Sequence, residues 1–177
     1  QAELVHFDIA PLEQTSITDL DDCKLHEYWF TYCSINYLEL EQEEQKRLLR
    51  NADILGLLEG EETVTVGGML LFGKDPQRRI PQSFITFAVF DGLLLTDELL
   101  DKQNIGGTLP ELIQQIHAKA RTFLPKPSTL SGMQRVEVSM IPDKVIREAL
   151  VNAVCHRDYS ISNQRIAVYV FRDRLEI

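Results

Sequence analysis

The segment from Pro142 to Ile177 constrains the fold most strongly, because an amphipathic helix pattern is followed directly by two strand patterns. Pro142 suits the first helical position, where its missing N–H is not needed. The pattern predicts a helix that begins at Pro142, ends near His156 and packs on a core by one face. The apolar side chains that recur at helical spacing and share this face are Val145, Ile146, Ala149, Leu150, Ala153 and Val154.

Two strands are predicted after this helix. Between Arg165 and Phe171, apolar residues occupy both alternating sets of positions, which is typical of a strand covered on both faces. Arg172 and Asp173 then turn the chain into a second strand that ends at Ile177. Because the sequence stops within that strand, we expect the chain to be a fragment of a longer protein.

The polar face of the predicted helix carries Glu148 and Asn152, four residues apart. At this spacing their side chains emerge one turn above the other, and His156 continues the line at the helix end. A carboxylate can accept a proton from an attacking water, and an amide oxygen is a hard ligand suited to Mg²⁺. The same pair is also common on a solvated helix face that performs no chemistry, so the spacing alone leaves both interpretations open.

The run REALVNAVCHRDYS, followed by the strands RIAVYVF and DRLEI, resembles the opening of the ATPase-like domain of bacterial RecG-related transcriptional regulators. An earlier run, VTVGGMLLFGKDPQRRIPQSFITFAVFDG, resembles the middle region of that family, so the resemblance spans most of residues 50–177. The ATPase-like domain is similar in turn to the gyrase, Hsp90, histidine kinase and MutL superfamily, whose first helix bears a Glu-x-x-x-Asn box. The resemblance implies that Glu148 is the general base that activates water. It also implies that Asn152 ligates the Mg²⁺ that bridges the phosphates of ATP.

The resemblance also implies a domain organisation. Residues 1–18 are expected to be a lead-in after an AlbA-type DNA-binding domain absent from this chain. Residues 1–140 form the expected middle α+β domain, and residues 141–177 form the truncated start of the ATPase-like α/β sandwich. The implied parent is a cytoplasmic, bacterial transcription regulator that binds DNA through the missing domain and responds to ATP.

A second hypothesis belongs to a different functional class. The glycine boxes that close over phosphate in the resembled superfamily lie downstream of the helix, and no equivalent occurs before Ile177. The chain can therefore also be interpreted as a non-enzymatic structural or dimerisation module with a degenerate nucleotide pocket.

A competing motif overlaps the same segment. His156, Arg157, Asp158 and Asn163 match the catalytic-loop pattern H-R-D-x-x-x-x-N of protein kinases. A kinase also needs a Gly-rich loop upstream and a D-F-G motif downstream, and the sequence contains neither. We therefore interpret these residues as a helix end with cations near its carbonyl groups.

The composition limits the partners that this chain can bind. A formal charge of −9 and a pI near 4.9 argue against nucleic-acid binding by the chain itself, since phosphate binding relies on clustered Lys and Arg. No apolar run approaches the roughly 20 residues of a membrane span, so no membrane association is expected. The three cysteines lack metal-site spacing, which fits reduced thiols in a cytoplasm. We also expect a homo-oligomer, formed through an apolar seam on a helix at Glu39–Ala52 or through an open sheet edge.

The first half of the chain is predicted to be mainly helical. The β-branched residues of Thr63–Val66 favour a strand, whereas the resemblance implies a helix, and we expect a helix over Thr65–Phe72 that ends at a left-handed Gly73. Gly67 and Gly68 are expected to allow close packing. A preceding helix from Thr18 to Cys33 is expected to bury a stripe that consists of Leu25, Tyr28, Trp29 and Tyr32.

The remaining segments complete an α+β pattern of helices packed on a small mixed β-sheet. Ser83–Phe90 is the best candidate for a central strand, and Asp101–Gly106 is a shorter strand across from it. A capping-box spacing at Thr108 opens a helix that Pro125 stops. A strand over Gln134–Met140 then leads to the helix at Pro142. The basic cluster of Lys74, Arg78 and Arg79 is interpreted as a solvated loop, with a phosphate or a neighbouring acidic subunit as the alternatives.

Overall fold

The computed structural model describes residues 7–124, 128–131, 134–137 and 141–177. The chain has an α+β fold, as predicted. It divides into a first unit, Gln1–Ser83 with Asp158–Ile161, and a second unit, Phe84–Arg157 with Ser162–Ile177. No helix in the described ranges is long and apolar enough to cross a membrane.

The first unit consists of helices around one β-hairpin. Its helices are α1 (Asp22–Cys33), α2 (Gln42–Asn51), α3 (Val66–Phe72) and α4 (Pro76–Arg79). The hairpin pairs β1 (Leu55–Leu58) with β2 (Glu61–Val64) in antiparallel register, and its turn places Glu59 and Gly60 at positive φ. The buried apolar side chains of the unit include Leu20, Leu25, Trp29, Tyr37, Leu49, Ile54, Val64, Val66, Met69, Leu70, Phe72 and Ile80.

The junction between β2 and α3 contains both structures that were in conflict, the strand favoured by the β-branched residues and the helix implied by the family resemblance. The strand ends at Val64, and the helix begins at Val66. Thr65 caps the helix, because its hydroxyl oxygen accepts from the backbone N–H of Gly68 at 3.0 Å and donates to the carbonyl of Asp53 at 2.6 Å. The prediction of a helix over this segment is therefore confirmed, with a short strand before it.

The glycines of α3 behave differently from one another. A Cβ on Gly68 would lie 2.5 Å from the carbonyl oxygen of Ile54, which confirms the predicted close packing. Gly73 is extended at φ −63° and ψ 147°, so the prediction of a left-handed residue there was wrong. Gly73 instead bridges Leu20 as isolated β-structure, and a Cβ at this position would lie 2.5 Å from the carbonyl of Met69. Glycine is therefore required at position 73 because a Cβ would clash with Met69, and not because the backbone is left-handed.

The second unit is built on a four-stranded mixed sheet. Its strands are β3 (Ile85–Phe90), β4 (Leu99–Ile105), β7 (Ile166–Val170) and β8 (Leu175–Glu176), in the order β4-β3-β7-β8. β3 and β7 are parallel, while the other two pairs are antiparallel. The unit also contains a separate hairpin of β5 (Ser128–Ser131) and β6 (Gln134–Glu137). The predicted central strand is therefore confirmed, whereas residues 138–140 of the strand predicted before Pro142 lie outside the described residues.

Two helices, α5 (Leu109–Phe123) and α6 (Asp143–Cys155), share one hydrophobic core with this sheet. Glu111 closes the predicted capping box of α5, since its Oε2 accepts from the N–H and the hydroxyl of Thr108 at 2.8 and 2.9 Å. The core residues are Ile85, Phe87, Val89, Ile105, Leu112, Ile116, Ala120, Leu124, Ile146, Leu150, Val154, Val168 and Val170.

The division into units differs from the sequence-based domain boundary after Met140. The sheet of the second unit joins β3 and β4, which precede that position, to β7 and β8, which follow it. The compact units separate instead between Ser83 and Phe84. Sequence order could not reveal this arrangement, because the parallel pairing of β3 with β7 connects strands about 80 residues apart.

Candidate functional site

The helix that carries the candidate residues, α6, is anchored by one face. Ile146, Leu150 and Val154 are buried at successive four-residue intervals and belong to the core of the second unit. Val145, which the sequence pattern placed on the same apolar face, is 54% exposed. The helix begins at Asp143, one residue later than predicted, and Pro142 occupies its N-cap.

Glu148 and Asn152 lie on the opposite face of α6 and are both exposed. They are two residues beyond Ile146 and Leu150, which corresponds to roughly 200° of rotation at 3.6 residues per turn. His156 is exposed at the C-cap, where its backbone N–H donates to the carbonyl of Asn152 at 3.0 Å. The structure thus places the two candidate side chains one above the other on a solvent-facing surface that a buried face holds in position.

An ionic contact links α6 to α5 close to the start of α6. Asp143 lies 3.2 Å from Nη1 of Arg121 and 3.9 Å from Nε2 of His117. Asp143 and Arg121 are each about half exposed, so the pair contributes little stability, on the order of 1 kcal/mol or less. The pair connects the first turn of α6 to α5, a contact that sequence spacing alone did not reveal.

The residues that match the kinase pattern have local structural roles. Oδ1 of Asp158 accepts from the backbone N–H of Ser160 at 2.9 Å and from its hydroxyl at 2.5 Å, which forms a tight turn. The guanidinium of Arg157 donates to the carbonyl of Gln164. The predicted helix end is confirmed, since His156 is the C-cap of α6, and these contacts make the following segment a polar connection between helix and strand.

The donor set on α6 suits Mg²⁺ chemically, because Glu148 and Asn152 supply hard oxygen atoms. The described part of the chain contains no group of three or more His, Cys, Asp or Glu side chains able to hold a metal ion. Residues 156–177 contain no glycine, so this segment has no glycine loop to close over phosphate. Glu148 and Asn152 therefore offer a carboxylate and an amide oxygen side by side on an exposed helix face. A separate cleft of about 300 Å³ lies in the first unit and is lined by Ser16, Ile17, Lys46, Leu55, Gly60, Glu61 and Glu62.

The basic cluster of the first unit is mostly occupied by internal contacts. Nζ of Lys74 donates to the carbonyl of Thr18 at 2.8 Å, and Nη2 of Arg79 donates to the carbonyl of Gln14 at 2.5 Å. Arg78 is exposed. Two of the three cations thus donate to backbone carbonyls within the unit, which favours the interpretation as a solvated loop over a phosphate site and leaves the alternative of a neighbouring acidic subunit untested.

The aromatic stripe of α1 was predicted to be buried, and this prediction was only partly correct. Leu25 and Trp29 are buried, whereas Tyr28 is 39% exposed and Tyr32 is 76% exposed. The helix starts at Asp22 instead of Thr18, since Asp21 caps it through the backbone N–H groups of Cys23 and Lys24. The prediction failed because α1 buries a narrower face than its aromatic content suggested.

One exposed apolar segment was not predicted from the sequence. The loop after β3 and the start of β4 expose five leucines: Leu93, Leu94, Leu95, Leu99 and Leu100. The run GLLLTDELL follows a turn and has neither helical nor strand periodicity, which was the available signal for an exposed apolar loop.

Comparison with known proteins adds fold information. A family model described as a domain of unknown function (DUF8451) matches residues 1–86. No curated protein matches the chain. Among solved structures, the chain is similar to the DIP2311 protein from Corynebacterium diphtheriae, at 20% identity and a TM-score of 0.62. The match covers 94% of this chain and 31% of that protein, so the chain spans about a third of its length. At this identity the similarity shows the fold alone.

Proposed function

We propose that the second unit is the nucleotide-binding part of a DNA-binding transcription regulator that responds to ATP. The observation that carries the proposal is the geometry of α6, where a buried face anchors the helix and Glu148 and Asn152 are presented together to solvent. Buried Ile146 and Leu150 fix the rotation of the helix, so both polar side chains keep a common direction.

Each of the two residues has a distinct role in this proposal. Asn152 offers its amide oxygen as a Mg²⁺ ligand, and Mg²⁺ supplies charge neutralisation for nucleotide phosphates when bound. Glu148 accepts the proton of the attacking water as general base. His156, at the end of the same line, extends the polar surface of the helix.

Contact with DNA is assigned to a domain outside these 177 residues. The net charge of −9 disfavours phosphate binding by this chain. In addition, Lys74 and Arg79 of its basic cluster already donate hydrogen bonds to backbone carbonyls of the first unit. The family resemblance supplies the candidate, an AlbA-type domain upstream. Cys23, Cys33 and Cys155 are free thiols on the surface, which supports the proposed cytoplasmic location.

The proposal is tested by calorimetric titration of the full-length regulator with a non-hydrolysable ATP analogue, with and without Mg²⁺. Asn152→Ala should weaken Mg²⁺-dependent binding by tenfold or more, since it removes a metal ligand. Glu148→Gln should leave affinity nearly unchanged while ATP turnover falls by roughly 10² to 10⁴. Arg147→Gln is the matched control, because Arg147 is exposed on the same helix and its position lies about 100° around the helix axis from that of Glu148.

A second candidate is a structural or dimerisation module whose nucleotide pocket is degenerate. One observation favours it: the loop after β3 and the start of β4 expose five leucines, and exposed apolar side chains are common in protein interfaces. This candidate predicts no nucleotide binding with or without Mg²⁺, and only small stability changes for Glu148→Gln and Asn152→Ala. Absence of binding in the unmodified full-length protein would refute the first proposal and support the second.

A further inference from the structure

Lys144 extends the exposed polar face of α6 beyond Glu148 and Asn152. It precedes Glu148 by four residues and is exposed, like the other two. At 3.6 residues per turn, the three positions lie within about 80° around the helix axis, with Glu148 in the middle. Glu148 is about 6 Å along the axis from each of its two neighbours. The three side chains therefore project from one strip of the helix surface.

The polar groups of this strip are available to a ligand. Lys144, Glu148 and Asn152 make no side-chain hydrogen bond or ion pair within the part of the chain that the structure describes. Lys144 and Glu148 have opposite charges at the spacing of a helical ion pair, yet they do not form one. Asp143, the neighbour of Lys144, pairs instead with Arg121 of α5 at 3.2 Å.

The stability of α6 does not account for a lysine at position 144. Pro142 is the N-cap of α6 and Asp143 is its first residue, so Lys144 lies in the first turn. The helix dipole is positive at this end, which makes a cation unfavourable there. A pair of Lys and Glu four residues apart is also weaker when the lysine comes first. Both effects disfavour Lys144 in the free helix, whereas a bound anion compensates its charge.

The negative charge of the chain does not oppose an anion at α6, because this charge is unevenly distributed. The first unit contains seventeen Asp and Glu residues but only seven Lys and Arg residues. The second unit, which contains α6, has ten Asp and Glu residues and eleven Lys and Arg residues. The formal charge of −9 is therefore carried by the first unit, and the second unit is close to neutral.

We propose that Lys144 binds the terminal phosphate of ATP and makes the site on α6 selective for a nucleoside triphosphate over a diphosphate. The inference rests on the proposed function, in which Glu148 is the general base. A base activates water for attack on the terminal phosphate only within hydrogen-bond reach of that water, so this phosphate lies close to Glu148. Lys144 is one helical turn away, and its flexible ammonium group can donate charge-assisted hydrogen bonds to the phosphate oxygens. ADP lacks the terminal phosphate and does not gain this contact.

The test is calorimetric titration of the full-length regulator with a non-hydrolysable ATP analogue and with ADP, both in the presence of Mg²⁺. Lys144→Gln should weaken binding of the analogue by about tenfold to a hundredfold, because it removes a charge-assisted contact. Its affinity for ADP should stay nearly unchanged. Lys144→Arg keeps the positive charge and should retain most of the preference for the triphosphate. Arg147→Gln is the matched control, since Arg147 is an exposed cation on the same helix, and it should change neither affinity.

Urea unfolding separates phosphate binding from a structural role of Lys144. Lys144→Gln should cause no loss of stability, because the side chain is exposed at the positive end of the helix dipole. A structural role would lower stability and weaken both nucleotides equally. If the unmodified regulator binds the analogue but Lys144→Gln weakens both nucleotides equally, or neither, the assignment of Lys144 is wrong while the nucleotide site stands. If the unmodified regulator binds neither nucleotide, the proposed function is wrong and the assignment of Lys144 is wrong with it.

Discussion

Replacing Tyr37 by Phe is expected to stabilise the protein, although Tyr37 is completely buried. The ring of Tyr37 packs in the first unit with no exposed surface, and its hydroxyl has no hydrogen-bond partner among the described residues. A buried polar group without a partner costs about 1 to 3 kcal/mol. The carbonyl of Tyr37 accepts from Nε2 of Gln45 at 2.9 Å, and this contact does not depend on the hydroxyl. Tyr37→Phe should therefore raise the free energy of unfolding by about 1 kcal/mol at pH 7.

The difference in free energy of unfolding between Tyr37→Phe and the unmodified protein should grow at alkaline pH. Burial raises the pKa of Tyr37 from 10.0 to about 12, and the carboxylate of Asp22 adds to the increase. Between pH 10 and pH 12 the unfolded chain loses the phenolic proton while the folded protein keeps it, so unfolding releases a proton. The stability of the unmodified protein therefore falls as pH rises from 10 to 12, by about 2 to 3 kcal/mol for a shift of this size. Below pH 10 this contribution is fully retained.

Urea unfolding of both proteins at pH 7 and at intervals from pH 9 to pH 12 measures both effects. Tyr28→Phe makes the same chemical change at an exposed position and serves as the control for general alkaline destabilisation. A loss of 1 kcal/mol or more in Tyr37→Phe at pH 7 would refute the reasoning, because it would show that the hydroxyl makes a stabilising hydrogen bond. Parallel pH profiles for the unmodified protein and Tyr37→Phe would refute the assignment of the raised pKa.

Two further substitutions test the packing inside each unit, one in the first unit and one in the second. Thr65→Ala should destabilise the protein by about 1 to 3 kcal/mol, as measured by urea unfolding. The substitution removes the cap of α3 and leaves the N–H of Gly68 without its acceptor. Thr65→Ser keeps the hydroxyl and should retain most of the stability. Leu150→Ala should cost about 3 to 5 kcal/mol, because Leu150 is fully buried between α6 and the sheet, and a loss below 1 kcal/mol would contradict the described anchoring of α6.

The elements with strong local signals could be predicted from the sequence. The capping box at Thr108 and Glu111 and the apolar run of β3 each carry their information within a few neighbouring residues. The same is true of α6, whose buried Ile146, Leu150 and Val154 follow a simple helical period.

Features that depend on distant partners could not be predicted in this way. The exposure of Tyr28 and Tyr32 depends on how wide a face of α1 the rest of the unit covers, and spacing within the helix does not contain that information. The conformation of Gly73 also depends on a distant partner, since its extended backbone forms a bridge to Leu20, more than fifty residues earlier. On α6, spacing placed Glu148 and Asn152 on one exposed face, while the contact of Asp143 with Arg121 required the position of α5.

The parallel pairing of β3 with β7 has a consequence for synthesis of the chain on the ribosome. β3 is apolar except for Thr86 and can pair with β4 soon after both emerge, but its other edge must wait for β7. About 80 residues separate Phe90 from Val170, so at roughly 5 to 20 residues per second this edge stays open for about 4 to 16 s. During that interval the nascent chain presents a hydrophobic strand with one unpaired edge, which makes this segment a site where holdase chaperones are expected to bind.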